Sequence, residues 1–343
     1  MVILTNCLTE KADEGCLKVA SSLTKRIKAQ CPETMVLTYG RETDESDQHL
    51  RLNKLFLNGK LFSILRKKQE PVLYIPFSSN TRASIFRTWM LSLFSKSEVN
   101  VLFALYYPMD LVSRKLLKWS GAGILALSKE SFSSYYSVVG NRAVYLKTGI
   151  DILRFKPIDT AARMKIRERY GIAGEKKVLL HVGHLKEGRN ISHLLNVGDN
   201  FHVVLVVSTL TKNEQDSQLR AKLEARPNTT ILDKYLPNIE EIYQMADVYF
   251  FPVEEQGNCI DVPLSVLEAA SCNVPVVATK YGELKEFAGK EGFWFIDSFE
   301  PEVLNDLLDQ AVESSHDVRS AVLEYDWDNA TSVLEALDGE LVV

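Results

Sequence analysis

The stretch Glu254–Glu283, EEQGNCIDVPLSVLEAASCNVPVVATKYGE, reads as a loop, a helix, a short strand and a second loop, with its polar residues where loop meets helix. Asp261 is placed to cap the helix, Pro263 fits a first turn because its missing N–H had no partner to lose, and Asn273 suits a left-handed stop. Pro275–Ala278 is the buried strand that follows. A helix N-terminus presents free N–H groups and partial positive charge, so this junction suits a phosphate or sugar hydroxyls better than an apolar ligand. Simple packing of the helix on its strand accounts for the same pattern.

The alternation continues outward. Upstream, Val248–Phe251 is a strand ending in Pro252, preceded by the helix Ile239–Met245, the strand Thr229–Leu232 and a polar helix reaching Arg226. Before these come the strand Phe201–Val207, a helix opening at Ile191–Leu195, the strand Lys177–Val182 and a charged helix from Met164 to Gly171. Downstream, the segment from Val318 reads as helical, with Trp327 and Leu334 as packing anchors. In the first half, Met1–Asn6, Met35–Tyr39, Val72–Ile75, Asn100–Leu105 and Ile124–Leu127 are strand candidates separated by helical stretches. The first of these stretches, Gly15–Ala29, sets Leu17, Ala20, Leu23 and Ile27 at helical spacing.

Such alternation predicts parallel sheets with helices on both faces, twice over. A Gly, an Asp and a Pro within KTGIDILRFKP, residues 147–157, mark a linker. The expected organisation is an α/β chain of two Rossmann-like doubly wound domains, 1–150 and 151–325, with a closing helix over 326–343 that packs back on the first. No GxGxxG follows the first strand, so a standard dinucleotide site is not supported.

The 343 residues are enough for two cores, and 46% hydrophobic with 25% charged residues is a globular composition. No run of about 18 apolar residues occurs, and MVILTNCLTEK lacks a basic leader, so a cytosolic protein is expected, or one resting on the inner face of a membrane. Cys7, Cys16, Cys31, Cys259 and Cys272 show no metal or redox spacing and read as reduced, buried small hydrophobes. The net charge of −5 conceals an asymmetry. Residues 51–150 carry 15 Lys plus Arg against 4 Asp plus Glu, while residues 151–343 carry 19 against 33. A field of that sign attracts anionic partners, and without a nucleic-acid motif it fits phospholipid headgroups or a lipid diphosphate; a solvated basic face fits equally. Leu55–Lys68 and Ser84–Lys96 join large apolar residues (Phe56, Phe62, Ile85, Phe86, Trp89, Leu93) to flanking cations. Two readings fit them: helices lying in a membrane interface, or ordinary amphipathic helices packed on their sheet.

Several segments together resemble one family. TGIDILRFKP (148–157) resembles the "NGVDxxxFxP" junction of the retaining nucleotide-sugar glycosyltransferases of the GT-B fold, the family 4-like group known as glycosyl transferases group 1. LLHVGHLKEGRNISHLL (179–195) resembles their "GRLxxxKGxxxLL", YQMADVYFFP (243–252) their "YxxADVxxxPS", and PLSVLEAASCNVPVVATKYG (263–282) their "PxxLEAMAxGxPVVAT". EYDWDNATSVLEAL (324–337) is similar to their closing helix. The match covers most of residues 147–335, and the first half matches in pattern alone.

The resemblance implies transfer of a sugar from a nucleotide diphosphate sugar to a glycan or lipid-linked acceptor, retaining and without a metal or other cofactor. Glu268 then accepts hydrogen bonds from the ribose, at about 1.5–3 kcal/mol each for charge-assisted bonds. Arg189 aligns with the diphosphate-binding Lys, where a guanidinium can engage two oxygens. Gly183, His184, Ser208, Leu264, Ser265 and Gly282 complete the donor side, and Lys280–Glu283 offers backbone N–H groups. Acceptor-side candidates are Gly15, Tyr106, Tyr107 and Asp110. Three positions depart from the family: His184 stands where it has an Arg, Ile260 where it has a sugar-side Glu, and Gly282 is left without the usual second glycine. Glu255, in a longer loop, is the substitute for that Glu. A sugar-nucleotide epimerase or hydrolase of the same fold, or a binding module without turnover, are the alternative functions. His181 and His202 belong to strands, and Tyr135 and Tyr136 pack at a helix end.

Overall fold

The computed structural model describes residues 1–56, 58–186, 188–208, 215–255, 257–314 and 317–330. They fall into two compact units: Met1–Gly149 with Cys259–Val262 and the chain from Trp327, and Ile150–Asn258 with Pro263–Asp326.

In the first unit seven parallel strands, β1 (Val2–Thr5), β2 (Met35–Thr38), β3 (Gln48–His49), β4 (Val72–Ile75), β5 (Val99–Phe103), β6 (Gly123–Ala126) and β7 (Ala143–Tyr145), lie in the order β3-β2-β1-β4-β5-β6-β7. Their side chains are buried on both faces, which is why β1 (VILT) and β5 (VNVLF) read as apolar runs and not as alternating strands. Helices α1 (Gly15–Gln30), α2 (Gly59–Lys68), α3 (Arg82–Ser95), α4 (Leu111–Ser120) and α5 (Lys129–Val139) link the strands. Four of them have the start signals their sequences carry. The side chains of Asn58, Thr81, Asp110 and Ser128 accept from the N–H groups of Leu61, Ser84, Ser113 and Ser131.

The two segments offered to a membrane interface are α2 with the turn before it, and α3. Phe56, Phe62 and Ile85 belong to the core of this unit, so the structure gives these segments the packed reading; Phe86 and Trp89 are half-buried, and Leu55 and Leu93 are exposed. Burial on the sheet removes their apolar area from water more completely than a headgroup layer would.

In the second unit α6 (Thr160–Arg169) precedes six parallel strands, β8 (Lys177–Gly183), β9 (Phe201–Val207), β10 (Thr229–Leu232), β11 (Val248–Phe251), β12 (Val276–Ala278) and β13 (Phe293–Phe295), in the order β10-β9-β8-β11-β12-β13. Helices α7 (Ser217–Ala225), α8 (Glu240–Gln244), α9 (Leu264–Ser271) and α10 (Pro301–Glu313) complete it. The segments expected as helices at Ile191 and from Val318 are 3-10 turns, Ile191–Asn196 and Arg319–Tyr325. Both sheets are doubly wound, as expected, with the strand order reversing between β1 and β4 and between β8 and β11. In sheets of this kind ligands bind beyond the carboxyl ends of the strands at the reversal.

Gly149 marks the first unit's edge. A Cβ there would stand 2.6 Å from the backbone nitrogen of Trp327, so only glycine admits that strand of chain. Leu334 and the rest of the expected closing helix beyond Ala330 lie outside the described residues. All five cysteines are thiols; Cys7 and Cys272 are buried, whereas Cys16, Cys31 and Cys259 are half-buried, which corrects the expectation for those three. Among the described residues no helix is long and apolar enough to cross a membrane.

Candidate functional site

In the second unit the reversal falls between β8 and β11, and the loops that leave these strands are tied to each other. The Arg189 guanidinium donates through Nη2 to the Asn258 carbonyl. The Asn258 amide donates to the Gly188 carbonyl (3.0 Å) and to Glu255 Oε2 (3.1 Å). Asn190 donates to the Pro252 carbonyl (3.1 Å) and to Glu254 Oε2 (2.8 Å). The loop after β12 joins them, since Thr279 donates its N–H to the Phe251 carbonyl (3.0 Å) and its hydroxyl to that of Val253.

Arg189 is only 5% exposed, and its Nε has no hydrogen-bond partner among the described residues. A buried guanidinium with an unused donor is costly unless a ligand oxygen completes it. Gly183 makes room for it: a Cβ at that position would stand 2.6 Å from Arg189 Nη1 and 3.0 Å from His181 Nε2. His181 is fully buried and its Nδ1 lies 2.8 Å from the Phe250 carbonyl, which fixes the proton on Nδ1 and leaves Nε2 as an acceptor toward the same corner. Burial, helped by the nearby Arg189 charge and opposed by the bond to the Phe250 carbonyl, pushes its pKa down to about 4. His184 is pushed down to about 3 by burial and by Arg189 and Lys186. His184, standing where the family has an Arg, is therefore neutral at pH 7, and Arg189 is the buried cation of this corner.

Gly183, His184, Arg189 and Glu255 thus gather at one strand end, with the Ser208 N–H bonded to the Gly183 carbonyl (3.2 Å). Glu268, Leu264 and Ser265 lie apart on α9. Glu268 is 3% exposed, and its Oε2 accepts from the Tyr243 hydroxyl at 2.7 Å. Tyr243 is itself packed between Phe155 and Tyr249 (ring centroids 5.6 and 5.9 Å). Gly282, at φ 51°, opens a 3-10 turn over Gly282–Phe287.

Asp261 does not cap α9. The helix begins at Leu264 with Pro263 as its flanking residue, and the Asp261 carboxylate accepts from the Ser128 hydroxyl (2.9 Å) and the Tyr106 N–H (3.3 Å) of the first unit, with which Cys259–Val262 is grouped. Burial raises its pKa and those donors oppose the rise. The acceptor-side candidates prove to be engaged in structure. Gly15 is covered by Ile260, whose Cδ1 would stand 2.8 Å from a Cβ there. Asp110 caps α4 and takes the Arg82 Nε at 2.5 Å. Tyr106 packs edge-on against Tyr135. Tyr107 is 41% exposed, with its backbone held by the Asn80 side chain. Asn258, Asn190 and Tyr243 were not singled out from sequence; Tyr243 lies in the quoted YQMADV segment, while Asn258 carried no signal beyond being polar in a loop. Among the described residues no group of three or more His, Cys, Asp or Glu is arranged to hold a metal ion.

Residues 162–325, just under half of the chain, match the family described as Glycosyl transferases group 1. A mannosyltransferase of Mycolicibacterium smegmatis, described as GDP-mannose-dependent alpha-(1-6)-phosphatidylinositol monomannoside mannosyltransferase, is 28% identical over 192 residues, 48% of this chain and 47% of the relative. The chain therefore aligns with about half the length of that curated relative. Among solved structures, Anabaena Alr3699/HepE in complex with UDP-glucose superposes with a TM-score of 0.77 at 12% identity, over 99% of both chains. A glycosyltransferase from Rickettsia africae ESF-5 does so at 0.75 and 14%, over 98% of this chain and 97% of that one. These likenesses bear out the resemblance read from the motifs and the GT-B pair of Rossmann-like domains.

Proposed function

We propose that this chain transfers a glycosyl group from a nucleoside diphosphate sugar to a glycan or lipid-linked acceptor, with retention and without a metal. The observation that carries the proposal is Arg189: buried, held by Asn258 at the reversal of a group 1 domain, and with its Nε unpartnered among the described residues. In this reading the diphosphate lies at the end of β8 against Arg189 and the backbone of the adjoining loops. The ribose hydroxyls donate to Glu268, whose orientation Tyr243 fixes. As the bond between the anomeric carbon and the diphosphate oxygen breaks and a bond to the acceptor oxygen forms, negative charge moves onto the departing diphosphate, which takes up the proton that the acceptor hydroxyl releases. A buried guanidinium and oriented amides stabilise that charge without reorganising. Glu255, aimed by Asn258, takes the sugar-side role that Ile260 cannot fill. The basic first unit meets the acceptor or an anionic membrane surface.

Incubation with a panel of UDP and GDP sugars, with and without lipid-linked and glycan acceptors, tests this by release of nucleoside diphosphate. The panel spans both bases because one relative is GDP-mannose-dependent and another binds UDP-glucose. Acceptor-dependent release is expected from at least one donor. Ile260 and the neutral His184 favour the second reading, a binding module without turnover; ordinary donor affinity with no release under any acceptor would establish it.

A further inference from the structure

We propose that α4 (Leu111–Ser120, LVSRKLLKWS) is the element through which the first unit docks onto an anionic lipid bilayer. The helix buries Ser113, Leu117 and Ser120. At 100° per residue the opposite face carries Leu111, Val112, Lys115, Lys118 and Trp119. Leu111 is 77% exposed, Val112 74% and Trp119 72%, so three of the five outward side chains are large, apolar and in water. Exposed apolar residues are ordinary when scattered; three on one ten-residue face, interleaved with lysines, mark a contact surface.

The charge of the face chooses the partner. No acidic residue stands between Asp110 and Glu130, while Arg114, Lys115, Lys118 and Lys129 do. Asp110 itself is neutralised by Arg82. At the other end of the helix Arg142 donates to the Lys118 carbonyl at 3.0 Å, adding a cation there. Tryptophan prefers the headgroup level, lysine stems can lie along the acyl boundary with their ammonium groups on the phosphates, and each cation near an anionic surface adds to the attraction. A ten-residue helix face about 15 Å long offers less than a stable protein interface needs, whereas insertion into lipid gains with each side chain. The proposal rests on the reading of the first unit as meeting an anionic surface, and it is independent of donor chemistry.

The test is flotation of the full chain with vesicles of phosphatidylcholine alone or with about a quarter phosphatidylglycerol. Leu111→Ser with Trp119→Ser removes the apolar part, Lys115→Glu with Lys118→Glu reverses the charge, and Lys67→Glu with Lys68→Glu on α2 is the control. All six positions are exposed, so folding should be unchanged. The expected result is that the wild type floats with anionic vesicles only, each α4 pair loses about tenfold or more, and the control stays within about twofold. Flotation by the wild type with neither α4 pair impaired, or with the control impaired as much, would overturn α4 while leaving the basic-surface reading standing. Equal flotation on neutral vesicles would overturn the role of charge and with it the proposal. No flotation of the wild type on either vesicle would overturn both readings.

Discussion

Arg189→Ala lowers kcat by about 100- to 1,000-fold with an active donor, the loss seen when one fixed charge-stabilising group is removed from a transition state. The side chain is buried against Gly183 and His181, and the Asn258 carbonyl holds one end of its fork. Its deletion therefore removes the buried cation of that corner, where His184 and His181 are neutral. Arg189→Lys restores the charge but not the planar fork, and should recover most of the loss, to within about tenfold of the wild type. With His184 held near 3 and His181 near 4, neither ring gains a proton between pH 6 and 8. Donor affinity should consequently be flat over that range as far as these two groups go. Steady-state kinetics of the two variants, with their melting temperatures as a folding control, decide the matter. Wild-type turnover by Arg189→Ala would remove the side chain from the mechanism.

Asp247→Ala destabilises the second unit by about 3–5 kcal/mol, a melting shift on the order of 10 °C. Asp247 stands at the start of β11, the end remote from the site. Its carboxylate takes Arg163 Nη2 (2.5 Å), Arg167 Nη2 (2.6 Å) and the Val178 N–H (2.6 Å). The Arg167 side chain is 6% exposed and also donates to the Met245 carbonyl, so it anchors α6 beneath the sheet. Burial lowers the Arg167 pKa and the Asp247 charge opposes that. Removing Asp247 leaves a buried guanidinium with no counter-ion, which is the costly half of a buried ion pair. Because the network lies at the opposite strand ends from Arg189, nucleotide affinity below the melting transition should be unaffected. A shift of less than about 1 kcal/mol in denaturant unfolding would show that the pair contributes no more than a surface bridge does.

Long buried strands were the most legible part of the fold. Val72–Ile75, Phe201–Val207 and Val248–Phe251 run as read, because a parallel strand covered on both faces must be a continuous apolar run, and the half-buried edge strand Thr229–Leu232 runs as read too. β3, β7 and β13 escaped notice, having two or three residues each, too few for a period to show. α10 was not singled out either, although Pro301 in its first turn and Leu304, Leu308 and Ala311 at helical spacing carry the signal. Motif spacing singled out Gly183 and Arg189, which the structure brings together at the end of β8, and Glu268, which it sets apart within α9. Asp261 was misread as a cap because its partners, Ser128 and Tyr106, are more than a hundred residues away in sequence. Gly15 reads as an acceptor-side candidate, but Ile260, distant in sequence, occupies its face. Asn258 could be valued only once its amide and carbonyl were seen joining the loops after β8 and β11.

The central claim is that the second unit holds a nucleoside diphosphate with Glu268 on its ribose. Calorimetric titration of UDP and GDP into the wild type and into Glu268→Gln tests it most directly, because the amide keeps the shape and an acceptor for the Tyr243 hydroxyl while removing the charge. The account predicts binding of at least one nucleotide to the wild type and a loss of about 1.5–3 kcal/mol, roughly 10- to 150-fold, in the variant. Equal affinity in the two proteins, with equal melting temperatures, would contradict it.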